Sequence, residues 1–88
     1  MNKVLITGVS SGIGRELTKD LCSKGYSVIG VARRKGLLES LKKELPKQAQ
    51  FSFIEADLGS KDVWEKIIVT LKREKFIPQV VIFNAATW

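Results

Sequence analysis

The sequence contains no histidine and a single cysteine, Cys22. A metal site built from His and Cys draws on several such ligands, so that chemistry is excluded, and so is an internal disulfide. Cys22 falls on the apolar side of a predicted helix and reads as a buried thiol. The cysteine usage suits a reducing, intracellular compartment, and the expectation is a cytoplasmic protein. Long hydrophobic runs are missing too. The longest, Val80-Val81-Ile82-Phe83, has four residues, whereas a membrane-spanning helix needs about 20. The apolar run at the N-terminus, Val4-Leu5-Ile6, is too short for a signal peptide. There are two prolines, no repeat and no low-complexity linker, so nothing divides the chain into two units.

What remains is 88 residues, of which 44% are hydrophobic and arranged in patterned runs. Disorder is excluded by that fraction. Surface scaling gives a folded area of roughly 5,200 Å² against about 14,200 Å² unfolded, so folding buries about 64% of the surface. That suffices for one small core.

Hydrophobic periodicity gives alternating strands and helices. Val4-Leu5-Ile6, ending in Gly8, suits a strand buried on both faces. From Gly12, Ile13, Leu17 and Leu21 recur every four residues and mark a helix whose apolar face they form, with Gly25 placed to end it. Tyr26 to Val31 reads as a second strand. Leu37, Leu38, Leu41 and Leu45 mark a second helix, stopped by Pro46. Phe51 to Glu55 reads as a third strand. Ser60 is placed to N-cap a third helix carrying an apolar stripe of Val63, Trp64, Ile67, Ile68 and Leu71. Gln79 to Phe83 forms a fourth strand. Such alternation implies a parallel sheet with right-handed crossovers. The expected fold is α/β, a Rossmann-type sheet of order 3-2-1-4 and part of a doubly wound fold. The first two helices cover one face and the third covers the other.

The first strand leads directly into Thr7-Gly8-Val9-Ser10-Ser11-Gly12-Ile13-Gly14, after which the first helix begins. Glycines allow a tight turn and close approach of a ligand to the backbone. Free N–H groups and the positive end of the helix then face an anion. Ser10 and Ser11 add hydroxyl donors, and Gly14 allows the helix to pack closely on the sheet. The spacing Gly-x3-Gly-x-Gly is neither Gly-x-Gly-x-x-Gly nor a P-loop, which would end in Gly-Lys-Ser/Thr. Its position at the first strand-to-helix junction points to a dinucleotide.

Charge agrees with that placement. The net charge is +6, from 15 basic and 9 acidic residues, and residues 1–36 hold seven basic and two acidic side chains. A local anion site in the first third produces such a bias. A nucleic-acid interface would call for a basic recognition helix or an aromatic stacking platform, and the sequence has neither.

Thr-Gly-x3-Gly-x-Gly resembles the signature of the short-chain dehydrogenase/reductase family. Two further landmarks follow in order. Asp57-Leu58 stands after the third strand, where the family has an Asp that contacts adenine. Asn84-Ala85-Ala86 stands after the fourth, where the family has Asn-Asn-Ala-Gly, here with Phe83 for the first Asn and Ala86 for the Gly. The resemblance covers the whole chain and implies that Gly8, Ser10, Ser11, Gly12, Ile13, Gly14, Asp57, Leu58, Asn84, Ala85 and Ala86 line a cofactor site. The family position for a ribose-binding acid, 24 residues after Gly8, is Ala32, followed by Arg33, Arg34 and Lys35. An acid there would hold the ribose hydroxyls of NAD. Cations instead suit a 2′-phosphate, which a guanidinium binds in a bidentate fork. The expected cofactor is therefore NADP(H) in preference to NAD(H), with Arg33 as the main contact and Arg34 or Lys35 assisting.

The family's chemistry is hydride transfer between nicotinamide and a carbonyl or alcohol, using a Ser and a Tyr-x3-Lys pair. The only tyrosine here is Tyr26, and the residue four later is Gly30. No catalytic residue is assigned. The chain is expected to be the N-terminal, cofactor-binding part of a longer oxidoreductase or a truncated product, whose small-molecule substrate would bind only to a longer form. A non-catalytic nucleotide-binding or scaffold module is the alternative. The outer edge of the fourth strand, beside Trp64, Thr87 and Trp88, leaves apolar surface uncovered and is expected to mediate self-association.

Overall fold

The computed structural model describes residues 2–9 and 12–84. Four strands form one parallel sheet: β1 (Lys3–Thr7), β2 (Ser27–Ala32), β3 (Phe51–Glu55) and β4 (Val80–Phe83), in the order β3-β2-β1-β4. Three helices cross between them: α1 (Gly12–Ser23), α2 (Lys35–Glu44) and α3 (Val63–Arg73). None of the helices described is long and apolar enough to cross a membrane. The order is the expected one. The second strand begins one residue later than Tyr26, which packs against the core at the strand's entrance, and the fourth begins at Val80.

Alternation along the strands divides the core in two. Val4, Ile6, Val28, Ala32 and Phe51 face α1 and α2, packing against Cys22, Leu38, Leu41 and Leu45. Leu5, Ile29, Val31 and Ile54 face α3, packing against Val63 and Ile67. Side chains of β1 and β2 are therefore buried on both faces, as a central parallel strand requires. Burial pushes the Cys22 thiol pKa up, consistent with an inert packing residue.

Three expectations for the helices are corrected. The buried line of α1 is Gly14, Thr18 and Cys22, whereas Leu17 and Leu21 are partly buried and Ile13 is exposed. Small residues bring α1 close to the sheet, and Thr18 satisfies its buried hydroxyl on the Gly14 carbonyl at 2.8 Å. Ser60 does not cap α3. Its N–H closes a turn on the Asp57 carbonyl, and Asp62 stands at the cap position without a side-chain bond. The apolar stripe of α3 is also wider than its contact: Val63 and Ile67 are buried, Trp64 and Ile68 exposed.

Arg15 joins α1 to α2. Its guanidinium donates to the Leu37 carbonyl and to the Ser40 hydroxyl, and pairs with Glu44. Lys19 reaches the other Glu44 oxygen at 2.7 Å. The bonds from Lys19 and then Arg15 hold the Glu44 carboxyl below its ordinary pKa, and Glu44 holds Lys19 above its own. A depressed carboxylate pKa means stability that is present above the usual carboxylate range and lost as pH falls through the folded value. The raised Lys19 value means stability lost as pH rises through the alkaline range.

Glu44→Gln is therefore expected to lower the thermal midpoint at pH 7, with a deficit that shrinks as pH falls through the lowered Glu44 value. A deficit that does not change with pH would contradict the linkage. Leu41→Ala, at a fully buried position, is expected to cost about 2–5 kcal/mol in urea unfolding.

Candidate functional site

The carboxyl ends of the strands form one rim, and the turn after β1 lies at its centre. Gly8 and Gly12 have φ of 72° and 60°, in the left-handed region. A Cβ at either position would strain the turn. The turn is fastened to β2: Gly8 N–H donates to the Val31 carbonyl at 2.8 Å and Val9 N–H to the same oxygen at 3.4 Å. The Val9 side chain is fully buried and occupies the space above Gly30, where a Cβ would lie 2.6 Å from a Val9 methyl. Gly30 thus keeps β2 open for the turn to seat.

Gly14 meets the turn from the helix side. A Cβ there would lie 2.2 Å from the Gly8 carbonyl oxygen and 2.4 Å from the Asn84 amide nitrogen. Any side chain at residue 14 would force α1 away from β1. Asn84, at the end of β4, donates from its amide to the Gly8 carbonyl at 3.0 Å, and its backbone N–H donates to the Thr7 hydroxyl at 3.1 Å. The structure therefore brings Gly8, Gly14 and Asn84 together, and Gly12 and Ile13 open the helix beside them. Ser10, Ser11, Ala85 and Ala86 lie outside the described residues.

Among the described residues, the space beside Gly12 is open. A Cβ at Gly12 would meet nothing within 4 Å. Ile13, 78% exposed, projects from the first turn of α1. The first N–H groups of that helix have no intrahelical acceptor. No acidic side chain stands in the first turn of α1 to neutralise its positive end.

A second part of the site lies where β2 and β3 end. Ala32 is buried, its carbonyl accepting from Ala56 N–H at 2.9 Å. Arg33, Arg34 and Lys35 follow at the surface, with no ion-pair partner among the described residues. They also crowd the N-terminus of α2, which has no acidic residue in its first turn. Each cation there opposes the helix macrodipole by about 0.3–1 kcal/mol. Arg33 lines a cleft of about 430 Å³ together with Glu55, Asp57, Ser60, Asp62 and Lys66. The Asp57 side chain accepts the Gly59 N–H at 2.9 Å and stays exposed, while Leu58 packs against the α3 side of the core. Arg33 and Arg34 are exposed donors for an anion, while the cleft that Arg33 lines also carries the carboxylates of Glu55, Asp57 and Asp62.

Four residues of the site region were not anticipated. Val9 and Gly30 hold the turn on β2, and a glycine inside an apolar strand is the signal for such a close approach. The Thr7 hydroxyl accepts from Asn84, and Arg15 fixes α2, which carries the arginines at its start. No local pattern identifies either partner, because Thr7 and Asn84 lie 77 positions apart and Arg15 and Leu37 lie 22 apart.

The chain matches the family model described as short chain dehydrogenase over residues 2–87. An NADPH-dependent pterin aldehyde reductase of Arabidopsis thaliana is 38% identical over 84 residues, covering 96% of this chain and 35% of that protein. A protein of Dichelobacter nodosus described as a "probable NADP-dependent dehydrogenase" is 57% identical over 42 residues, covering 48% of this chain and 40% of that protein. The crystal structure of a short chain dehydrogenase from Bacillus anthracis superposes with a TM-score of 0.86 at 29% identity, covering 97% of this chain and 34% of that one. The chain thus spans 35–40% of the length of these curated relatives. The glycine turn, the sheet order and the match over residues 2–87 agree, and the chain belongs to the short-chain dehydrogenase family.

Proposed function

We propose that these 88 residues are the N-terminal, dinucleotide-binding part of a Rossmann domain in an NADP(H)-dependent oxidoreductase. The observation that carries the reading is the end of β2. A buried Ala32 stands where an acid would hold the ribose of NAD, and two exposed arginines follow it beside an open cleft. The names of the Arabidopsis and Dichelobacter relatives support the same cofactor.

In this reading the turn Gly8–Gly14 receives the pyrophosphate on backbone N–H groups at the α1 N-terminus. Arg33, with help from Arg34 or Lys35, takes the 2′-phosphate through charge-assisted hydrogen bonds. Asp57 and Leu58 border the adenine. Asn84 holds the Gly8 carbonyl at the start of the turn. The bound cofactor would supply the hydride, exchanged with a carbonyl or alcohol. No Tyr-x3-Lys occurs in the sequence, so no residue here is assigned to the proton or to the substrate.

Titration by calorimetry is expected to give tighter binding of NADPH than of NADH. Arg33→Ala should weaken NADPH by about tenfold to a hundredfold, the size of a lost charged hydrogen bond, and leave NADH within about twofold. Equal affinities that Arg33→Ala leaves unchanged would exclude the 2′-phosphate assignment. Gly14→Ala forces a Cβ against the Gly8 carbonyl and should cost about 1–3 kcal/mol of stability while weakening both cofactors alike. A Gly14→Ala variant that melts and binds like the parent would remove the turn from the site.

A further inference from the structure

The first turns of α1 and α2 are joined by one side chain. Arg15 follows Gly14 on α1, and its guanidinium donates to the Leu37 carbonyl at 3.3 Å, to the Ser40 hydroxyl at 3.4 Å and to Glu44. These partners are spaced three and four residues apart and so form one stripe along α2. The Arg15 side chain is only 16% exposed, and Lys19 holds the other oxygen of Glu44. Leu37 in turn connects to the cations after β2: its N–H and that of Leu38 each donate to the Arg34 carbonyl at 3.2 Å. Arg33 therefore stands between two fixed points. Before it, Ala32 is buried and its carbonyl accepts from Ala56. After it, Arg34 is closed onto the turn that Arg15 grips.

That turn has little stability of its own. Arg34 occupies the cap position without a side-chain bond, and no acid in the first turn offsets the cations. Gly36 has poor helix propensity, and a Cβ there would meet nothing within 4 Å, so packing does not require a glycine. Leu38, fully buried, anchors the turn from beneath. Apolar contact is non-directional, however, and leaves the rotation of the turn open. A guanidinium forked onto a carbonyl and a carboxylate is directional and closes that freedom.

We propose that Arg15 is a positioning residue for cofactor selectivity: by tying the first turn of α2 to that of α1, it holds Arg33 at a set distance from the glycine turn. The inference rests on the NADP(H) reading above. In that reading two anions of one ligand, the pyrophosphate and the 2′-phosphate, hang from the same adenosine ribose, so their receptors must match its span. NADH lacks the second anion and imposes no such match. A first turn left free to move would have to be ordered by NADPH at the expense of affinity. Arg15 has its donors committed to α2 and is assigned no contact with the cofactor.

Calorimetric titration of the protein with NADPH and with NADH provides the test. Arg15→Met should weaken NADPH about threefold to thirtyfold, the range for residues that act through others, and leave NADH within about twofold. Arg15→Lys keeps the charge but cannot fork, so its loss of NADPH affinity should be nearly as large. In the Arg33→Ala background, Arg15→Met should change NADPH affinity by less than about twofold, because the residue it acts through is gone. Glu44→Gln gives an independent sign. Removing an anion would by charge alone tighten NADPH, whereas a loosened grip on Arg15 should weaken it by about twofold or more. Circular dichroism establishes which variants are folded, and Arg15→Lys and Glu44→Gln decide the matter if Arg15→Met is not. An unchanged ratio of NADPH to NADH affinity in Arg15→Met overturns the proposal, since the role is then purely structural. Arg15→Lys binding NADPH like the parent overturns it as well, reducing Arg15 to a charge. So does an undiminished effect in the Arg33→Ala background, or tighter NADPH binding by Glu44→Gln. A parent with no preference for NADPH, or one indifferent to Arg33→Ala, instead removes the cofactor reading and the inference with it.

Discussion

The contact on which the rest depends is the seating of Val9 over Gly30. The Val31 carbonyl receives two N–H groups from the turn, and the Val9 side chain fills the hollow that Gly30 leaves. This fastens the turn to β2 as well as to its own strand. Only then does the Gly8 carbonyl stand where Gly14 can pass beneath it and where Asn84 can donate to it. Three contacts from three elements thus converge on a turn of left-handed glycines, which would otherwise be among the most mobile parts of the chain. Preorganisation of this kind lowers the cost of ordering a turn on an anion.

Electrostatics divides the basic residues into two groups. Arg15 and Lys19 are engaged with Glu44 and join α1 to α2. Arg33 and Arg34 have no such partner among the described residues and sit where cations oppose the α2 dipole. The first group serves the fold. The second is unfavourable to it by a small amount, and an arriving dianion would reverse the sign of that contribution. The same sequence surplus of positive charge therefore has two origins, which composition alone does not separate.

Much of the fold was legible because its signals are periodic and strong. All seven elements lie within a few residues of where apolar spacing, Gly25 and Pro46 set them, and the sheet has the Rossmann-type order expected of the alternation. The departures have local causes. In α1 the apolar residues Ile13, Leu17 and Leu21 suggested the buried line, but close approach to the sheet selects small residues, so Gly14, Thr18 and Cys22 take it. Ser60 resembled a cap, yet the chain after β3 first makes a turn on Asp57, and α3 starts only at Val63. The glycine turn was legible as a motif, whereas its supports were not. Val9, Thr7 and Arg15 act on partners distant in sequence, and a single sequence holds no record of such pairs.

The most exposed strand also supplies a clasp of the site. Asn84 follows directly from β4, and both of its bonds to the β1 turn require β4 to be paired in register with β1. Yet β4 is the strand with the least burial, its residues exposed or half-exposed while those of β2 are all buried. Local opening is expected to begin at such an element. Any surface that covers the β4 edge and binds only the paired state stabilises that state by mass action. It thereby stabilises Asn84 on Gly8. Pairing of β4 with β1 and order at the Gly8 end of the turn are consequently linked in free energy.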